Sequence, residues 1–149
     1  MLWVNRDKNG DIALWIGAMQ GPNTDNAREL VKEATKQAHR YRTKNLILYM
    51  TQALARNLHV KKIYAVSNEG YYAMNHIRRD RKLRTDFGAF WKEAGGKMTD
   101  DIRFYEIPLT ETRKTMDEVP TRKRAVYRKR FVFQDNVDEQ ISLNLQKIM

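Results

Sequence analysis

Two stretches of this chain place cations where a helix would begin. Arg42-Thr43-Lys44-Asn45 opens a segment in which Leu46, Ile47, Met50, Ala53, Leu54 and Leu58 recur at the helical period, with Thr43 placed to cap the first free amides. Arg122, Lys123, Arg124 and Arg128 follow Pro120, with Lys129 and Arg130, ahead of Phe133, Val137, Ile141, Leu145 and Ile148 at intervals of three or four. The free amides and positive dipole end of a helix N-terminus favour an anion. Cations placed there oppose the dipole by a few tenths to about 1 kcal/mol per group, and a bound anion would relieve that. Arg42, Thr43, Lys44, Asn45, Arg122, Lys123, Arg124 and Arg128 are therefore the candidate anion-binding set.

Catalysis needs a base within hydrogen-bond reach and a site that stabilises developing charge. Ser67, Glu93 and Tyr127 are the candidates, beside the polar Asn68, Glu69, Tyr71 and Tyr72. Glu93 reads equally as a helix-surface charge, and Tyr127 as a ring buried against a sheet. There is no cysteine, which removes disulfides and thiolate chemistry. His39, His59 and His76 are too widely spaced for a local metal motif, so no metal is expected.

The elements that would position these residues follow from pattern. Leu2-Trp3-Val4 and Ile12 to Met19 flank Asp7-Lys8-Asn9-Gly10, which predicts an N-terminal β-hairpin. Ile12 to Ile16 is apolar at consecutive positions, which predicts a strand covered on both faces. Thr24, Asp25 and Asn26 offer caps to a surface helix with Ala27, Leu30, Val31, Ala34 and Ala38 on its apolar face. After the helix opened by Arg42, Val60 to Ser67 predicts a buried strand that Asn68-Glu69-Gly70 closes with a turn. Arg78, Arg79, Arg81, Lys82 and Arg84 crowd the next stretch. Asp86 caps a short helix with Phe87, Phe90, Trp91 and Ala94 on its core face, ended by Gly95-Gly96. Ile102 to Ile107 predicts a strand stopped by Pro108, Leu109 to Val119 a loop, and the remainder one long amphipathic helix. The fold class is α/β, with α+β open: a hairpin, a central mixed sheet with helices on both faces, and a long C-terminal helix in a single domain over residues 1–149.

Composition bounds the partners. Lys and Arg number 28 against 18 Asp and Glu, a formal net charge of +10 that points to an anion: RNA or DNA phosphate, an anionic lipid surface or a phosphate-bearing cofactor. No apolar run nears the roughly 20 residues that span a bilayer, and the first residues lack signal-peptide character. The expectation is a cytoplasmic protein, or one held peripherally at the inner membrane.

Arg42-Thr43-Lys44-Asn45-Leu46, Ile63-Tyr64-Ala65-Val66-Ser67, Phe90-Trp91-Lys92-Glu93-Ala94-Gly95-Gly96, Glu106-Ile107-Pro108 and Pro120-Thr121-Arg122-Lys123-Arg124-Ala125-Val126-Tyr127-Arg128 stand in an order and spacing that resemble the VirK/YbjX family of Gram-negative bacteria. The resemblance runs from about Ile12 to Leu145 and implies the C-terminal half of a longer protein. It further implies a setting of virulence, envelope maintenance and tolerance of cationic antimicrobial peptides, with no established activity. The succession of strand, basic turn, helix and strand is also similar to the central unit of the GCN5-related N-acetyltransferases, whose glycine-containing turn binds the pyrophosphate of acetyl-CoA. Here Asn45 and Ile47 occupy the two small positions, and without glycine the backbone is less free to approach a diphosphate. Two functions follow: an acyltransferase-like enzyme with acyl-CoA or another phosphate-bearing acyl donor, or a non-catalytic module that binds RNA or anionic lipid head groups.

Overall fold

The computed structural model describes residues 1–19, 21–22, 24–75 and 86–148. His76 and the cation cluster of Arg78, Arg79, Arg81, Lys82 and Arg84 lie outside the described residues. The chain folds into two compact units, each assembled from two segments. One joins Met1–Met19 to Leu58–Leu109 and the other joins Gln20–Asn57 to Thr110–Met149.

The first unit is a sheet with two short helices. Leu2–Arg6 (β1) and Ile12–Ile16 (β2) form the hairpin, with Gly10 at φ +83° in its turn. Asp7 Oδ1 fixes that turn by accepting from the amides of Asn9 and Asp11 at 2.9 and 3.0 Å. β2 runs parallel to Lys62–Val66 (β3), and β3 runs antiparallel to the later Phe104–Ile107. That last strand also pairs with a two-residue strand, Lys97–Met98 (β4), and is itself β5, giving the order β1-β2-β3-β5-β4. Register places Leu14, Ile63 and Ile107 in one row and Ile16, Ala65 and Tyr105 in the next, all buried, so this is the core face. Asn68–Asn75 (α3) packs against β3 and Phe87–Glu93 (α4) against β5. Asp86 caps α4 by accepting from the Ala89 amide at 3.1 Å, and Gly95 ends it at φ +84°. Trp91 is fully buried, its indole N–H donating to the Val66 carbonyl at 2.8 Å, so the aromatic stripe is core.

Several boundaries differ from pattern, and the strand predicted from Val60 starts at Lys62. Asn68-Glu69-Gly70 opens α3 rather than closing a turn, because the Ser67 hydroxyl accepts from the Gly70 amide at 3.1 Å and caps the helix. The strand predicted from Ile102 starts at Phe104. Residues 101–103 are a turn in which the Phe104 amide bonds the Asp101 carbonyl at 3.1 Å.

The second unit is built on the helices Ala27–Gln37 (α1), Thr43–Asn57 (α2) and Arg124–Ile148 (α5), the last preceded by 3-10 turns at Met116–Glu118 and Thr121–Lys123. Asn26 stands at the N-cap of α1 without a side-chain cap bond, since its Oδ1 accepts from the Thr24 hydroxyl instead. Thr43 is already helical. The first turn of α2 is held by the Arg42 carbonyl, which accepts from the Leu46 amide at 2.9 Å. The buried side of α2 is Leu48, Tyr49, Thr51, Gln52, Ala53 and Ala55, whereas Ile47 and Met50 are 48% and 39% exposed. The apolar stripe of α5 is likewise only half-buried, Ile148 is 81% exposed, and the residue it buries fully is Gln134. Both helices thus bury polar side chains, Thr51 and Gln52 of α2 and Gln134 of α5, beside apolar ones.

Candidate anion-binding site

Three residues one turn apart on α5, Arg130, Gln134 and Asp138, organise the face it turns to α2 and the preceding loop. Asp138 Oδ2 accepts from Arg56 at 2.6 Å and from the Tyr49 hydroxyl at 3.1 Å. Arg113 donates to Asp135 at 2.7 Å and to the Tyr49 hydroxyl at 3.4 Å. Glu111 accepts from the Gln134 amide at 2.8 Å and from the Tyr41 hydroxyl at 3.2 Å. Arg130 is held between the rings of Tyr41 and Tyr127, at 5.2 and 4.5 Å from their centroids, and donates to the Arg40 carbonyl at 3.0 Å. Burial, and then the charge of Glu111, push the Tyr41 hydroxyl well above its ordinary pKa; burial and Asp138 raise that of Tyr49.

That seam clamps the basic turn between α1 and α2 onto the first turns of α5. His39 and Arg40 take φ angles of +56° and +62°, an uncommon conformation for two successive non-glycine residues, and the Arg40 amide closes the turn on the Thr35 carbonyl at 2.9 Å. The His39 ring lies edge-on to Phe133, centroids 5.9 Å apart. Beside them His39, Arg128, Lys129, Val132, Phe133 and Asn136 line a shallow cavity of about 340 Å³.

Of the candidate set, Arg128 therefore comes to the cavity together with His39 of the basic turn. Arg42, Thr43, Lys44 and Asn45 lie at the start of α2 and do not line it, and Arg122 and Lys123 lie in the 3-10 turn before α5. Arg124 is held at home, its Nε donating to the Val119 carbonyl at 3.1 Å. Among the described residues, Arg42, Lys44, Arg122, Lys123, Arg128 and Lys129 make no ion pair.

The three candidate catalytic groups occupy separate settings. Ser67 is buried, and its hydroxyl donates to the Ile102 carbonyl at 2.6 Å while capping α3. Glu93 is exposed in the last turn of α4. Tyr127 packs against Arg130 and edge-on to Phe131. Sequence pattern does not single out Glu111 and Gln134, since a loop acid and a mid-helix amide carry no periodic signal; the loop position of Glu111 becomes meaningful only once α5 is docked.

The family described as "Protein of unknown function (DUF535)" matches residues 1–143. The uncharacterised protein YbjX of Escherichia coli K12 is 32% identical over 135 residues, covering 89% of this chain and 41% of YbjX. Two uncharacterised proteins of Haemophilus influenzae Rd are 31% and 29% identical over 138 and 136 residues, covering 93% and 91% of this chain and 45% and 44% of their own. The chain thus spans less than half the length of the curated relatives it matches. No solved structure matches it. Among the described residues no helix is long and apolar enough to cross a membrane.

Proposed function

This chain belongs to the DUF535 family of proteins of unknown function, and on that footing we propose that it docks to the phosphates of anionic lipid head groups at a membrane surface. The observation that carries the reading is a separation of charge within the helical unit. Glu111, Asp135 and Asp138 are engaged by Tyr41, Gln134, Arg113 and Arg56, so they leave Arg122, Lys123, Arg128 and Lys129 without a neutralising partner among the described residues. Such unneutralised cations attract an anionic surface, at about 1 kcal/mol per Lys or Arg near it.

Lipid is favoured over RNA by what lies between the cations. Val132, one turn after Arg128 and Lys129, is 59% exposed, and Ile47 and Met50 follow Lys44 along α2. Cations interleaved with exposed apolar residues suit the head-group boundary. Tyr41 and Tyr127 are already occupied by Arg130 and Phe133 by His39, which argues against a base-stacking platform here. A protein occupying anionic head groups competes with cationic peptides for them, which would account for a role in envelope maintenance, virulence and peptide tolerance from the cytoplasmic leaflet.

Co-sedimentation with phosphatidylglycerol vesicles tests this. Arg128→Glu with Lys129→Glu removes two surface cations and is expected to weaken binding by about 30-fold or more, with an unchanged circular dichroism spectrum. Equal binding to phosphatidylcholine vesicles, or tighter retention on single-stranded RNA at the same salt, would overturn the proposal.

A second reading, acyl transfer, is favoured by one observation: among the described residues β2 and β3 are the parallel pair of an otherwise antiparallel sheet, and their crossover carries Arg42, Thr43, Lys44 and Asn45. Acetyl-CoA would then raise the melting temperature beyond the effect of inorganic polyphosphate at equal phosphate.

A further inference from the structure

The sheet unit holds a cavity that draws nothing from the basic helices. It lies on the face opposite the Leu14, Ile63 and Ile107 row, measures about 480 Å³ and is within the range of small-ligand sites. Register explains its floor. Trp3, Trp15, Tyr64, Glu106 and Lys97 are successive partners across all five strands and therefore project from one face, and all but Trp3 line the cavity. The rings stand against one another, Trp3 to Trp15 at 6.1 Å and 4°, and Trp15 to Tyr64 at 4.5 Å and 29°, with Phe104 edge-on to Trp15 at 5.0 Å. Tyr64 is the last ring of the row, and beyond it the row continues as carboxylate and ammonium.

The rim is charged but internally balanced. Lys8 pairs with Asp100, Lys62 with Glu106 at 3.2 Å and Arg103 with Asp101 at 2.7 Å. The Tyr64 hydroxyl donates to Asp7 at 2.9 Å. Among the described rim residues Lys97 makes no ion pair, so a charged ligand that sought more than this single cation would have to break one of these pairs to find a partner. A neutral ring bearing several hydroxyls would not, because each hydroxyl both donates to a carboxylate and accepts from an ammonium or guanidinium already in place. The aliphatic face of such a ring packs on an aromatic one.

We infer that this cavity binds a neutral saccharide ring, with Tyr64 as its stacking surface and Glu106, Lys97 and Asp7 as its hydroxyl partners. The site shares no residue with the lipid-docking face and does not depend on that reading.

The test titrates methyl β-D-glucopyranoside, methyl α-D-mannopyranoside and N-acetylglucosamine at millimolar concentration into isotope-labelled protein. At least one sugar is expected to move the indole N–H resonance of Trp15 while leaving that of Trp91, bonded to Val66, in place. Tyr64→Leu is expected to weaken the response about tenfold. Glu106→Gln, on the half-exposed rim where folding is not at stake, is expected to weaken it severalfold. No response to any of the three sugars, a response that survives both substitutions, or a stronger response to AMP or inorganic phosphate would overturn the inference.

Discussion

A methyl group at position 70 would collide with the carbonyl oxygen of Arg103 and lie 2.8 Å from Val66 Cγ2. The first neighbour is backbone and has little freedom to give way, so Gly70→Ala is expected to destabilise the fold by about 1–3 kcal/mol, read as a lower denaturant midpoint at constant slope. Asp86 acts through charge as well as geometry. Its carboxylate is held below the ordinary range, first by the Ala89 amide and then by the Asn68 side chain. A carboxylate whose pKa is lowered by folding contributes stability that is complete above its unfolded value, about 3.9, and is lost as pH falls through the folded value. Asp86→Ala is expected to cost about 1 kcal/mol at neutral pH. Asp86→Asn keeps an acceptor at the cap, and its melting temperature is expected to fall less than that of the wild type below about pH 4.

At the scale of the element, the α2–α5 seam is the test. Asp138→Ala leaves the Tyr49 hydroxyl and Arg56 without their shared acceptor and is expected to destabilise by about 1–3 kcal/mol. Tyr49→Phe removes one of the two donors and is expected to cost less, and the double variant should show non-additivity, because both changes act on one bond. The same seam shows why some elements were legible in the sequence and others were not. The hairpin turn at Asn9-Gly10, the cap at Asp86 and the buried Trp91 carry their instructions within a few residues, so pattern suffices for them. The face of α2 does not. Its apolar residues mark Ile47 and Met50 as inward, yet Thr51 and Gln52 are buried, since a helix packed on arginine, glutamine and aspartate can bury polar atoms. The row from Trp3 to Lys97 was invisible for another reason: it exists only when β2 is placed in register with β3, a strand two helices further along the chain, which no local period encodes. The basic set was legible as composition, but its division into engaged arginines, Arg124 and Arg130, and unengaged Arg128 and Lys129 required the fold.

For the whole molecule the governing quantity is a formal net charge of +10. Raising ionic strength from about 0.01 to about 0.15 M shortens the screening length from about 30 to about 8 Å, which relieves repulsion among cations on different elements. The melting temperature is accordingly expected to rise over that interval, while affinity for anionic vesicles falls. A fold stabilised mainly by surface ion pairs would instead lose stability with salt, and differential scanning calorimetry at the two ionic strengths distinguishes the outcomes.

Each compact unit is built from two separated stretches of chain. During synthesis, α2 leaves the ribosome long before α5, the helix that supplies Asp138 to it and Arg130 to the turn before it, has been translated. Tyr41 and Tyr49 must therefore wait in the nascent chain without Arg130 and Asp138, while the sheet, whose last strand ends at Ile107, can already close. The order of emergence makes α5 the final step in assembling the helical unit, so a chain stopped short of it would leave the Tyr49 hydroxyl without its acceptor on Asp138.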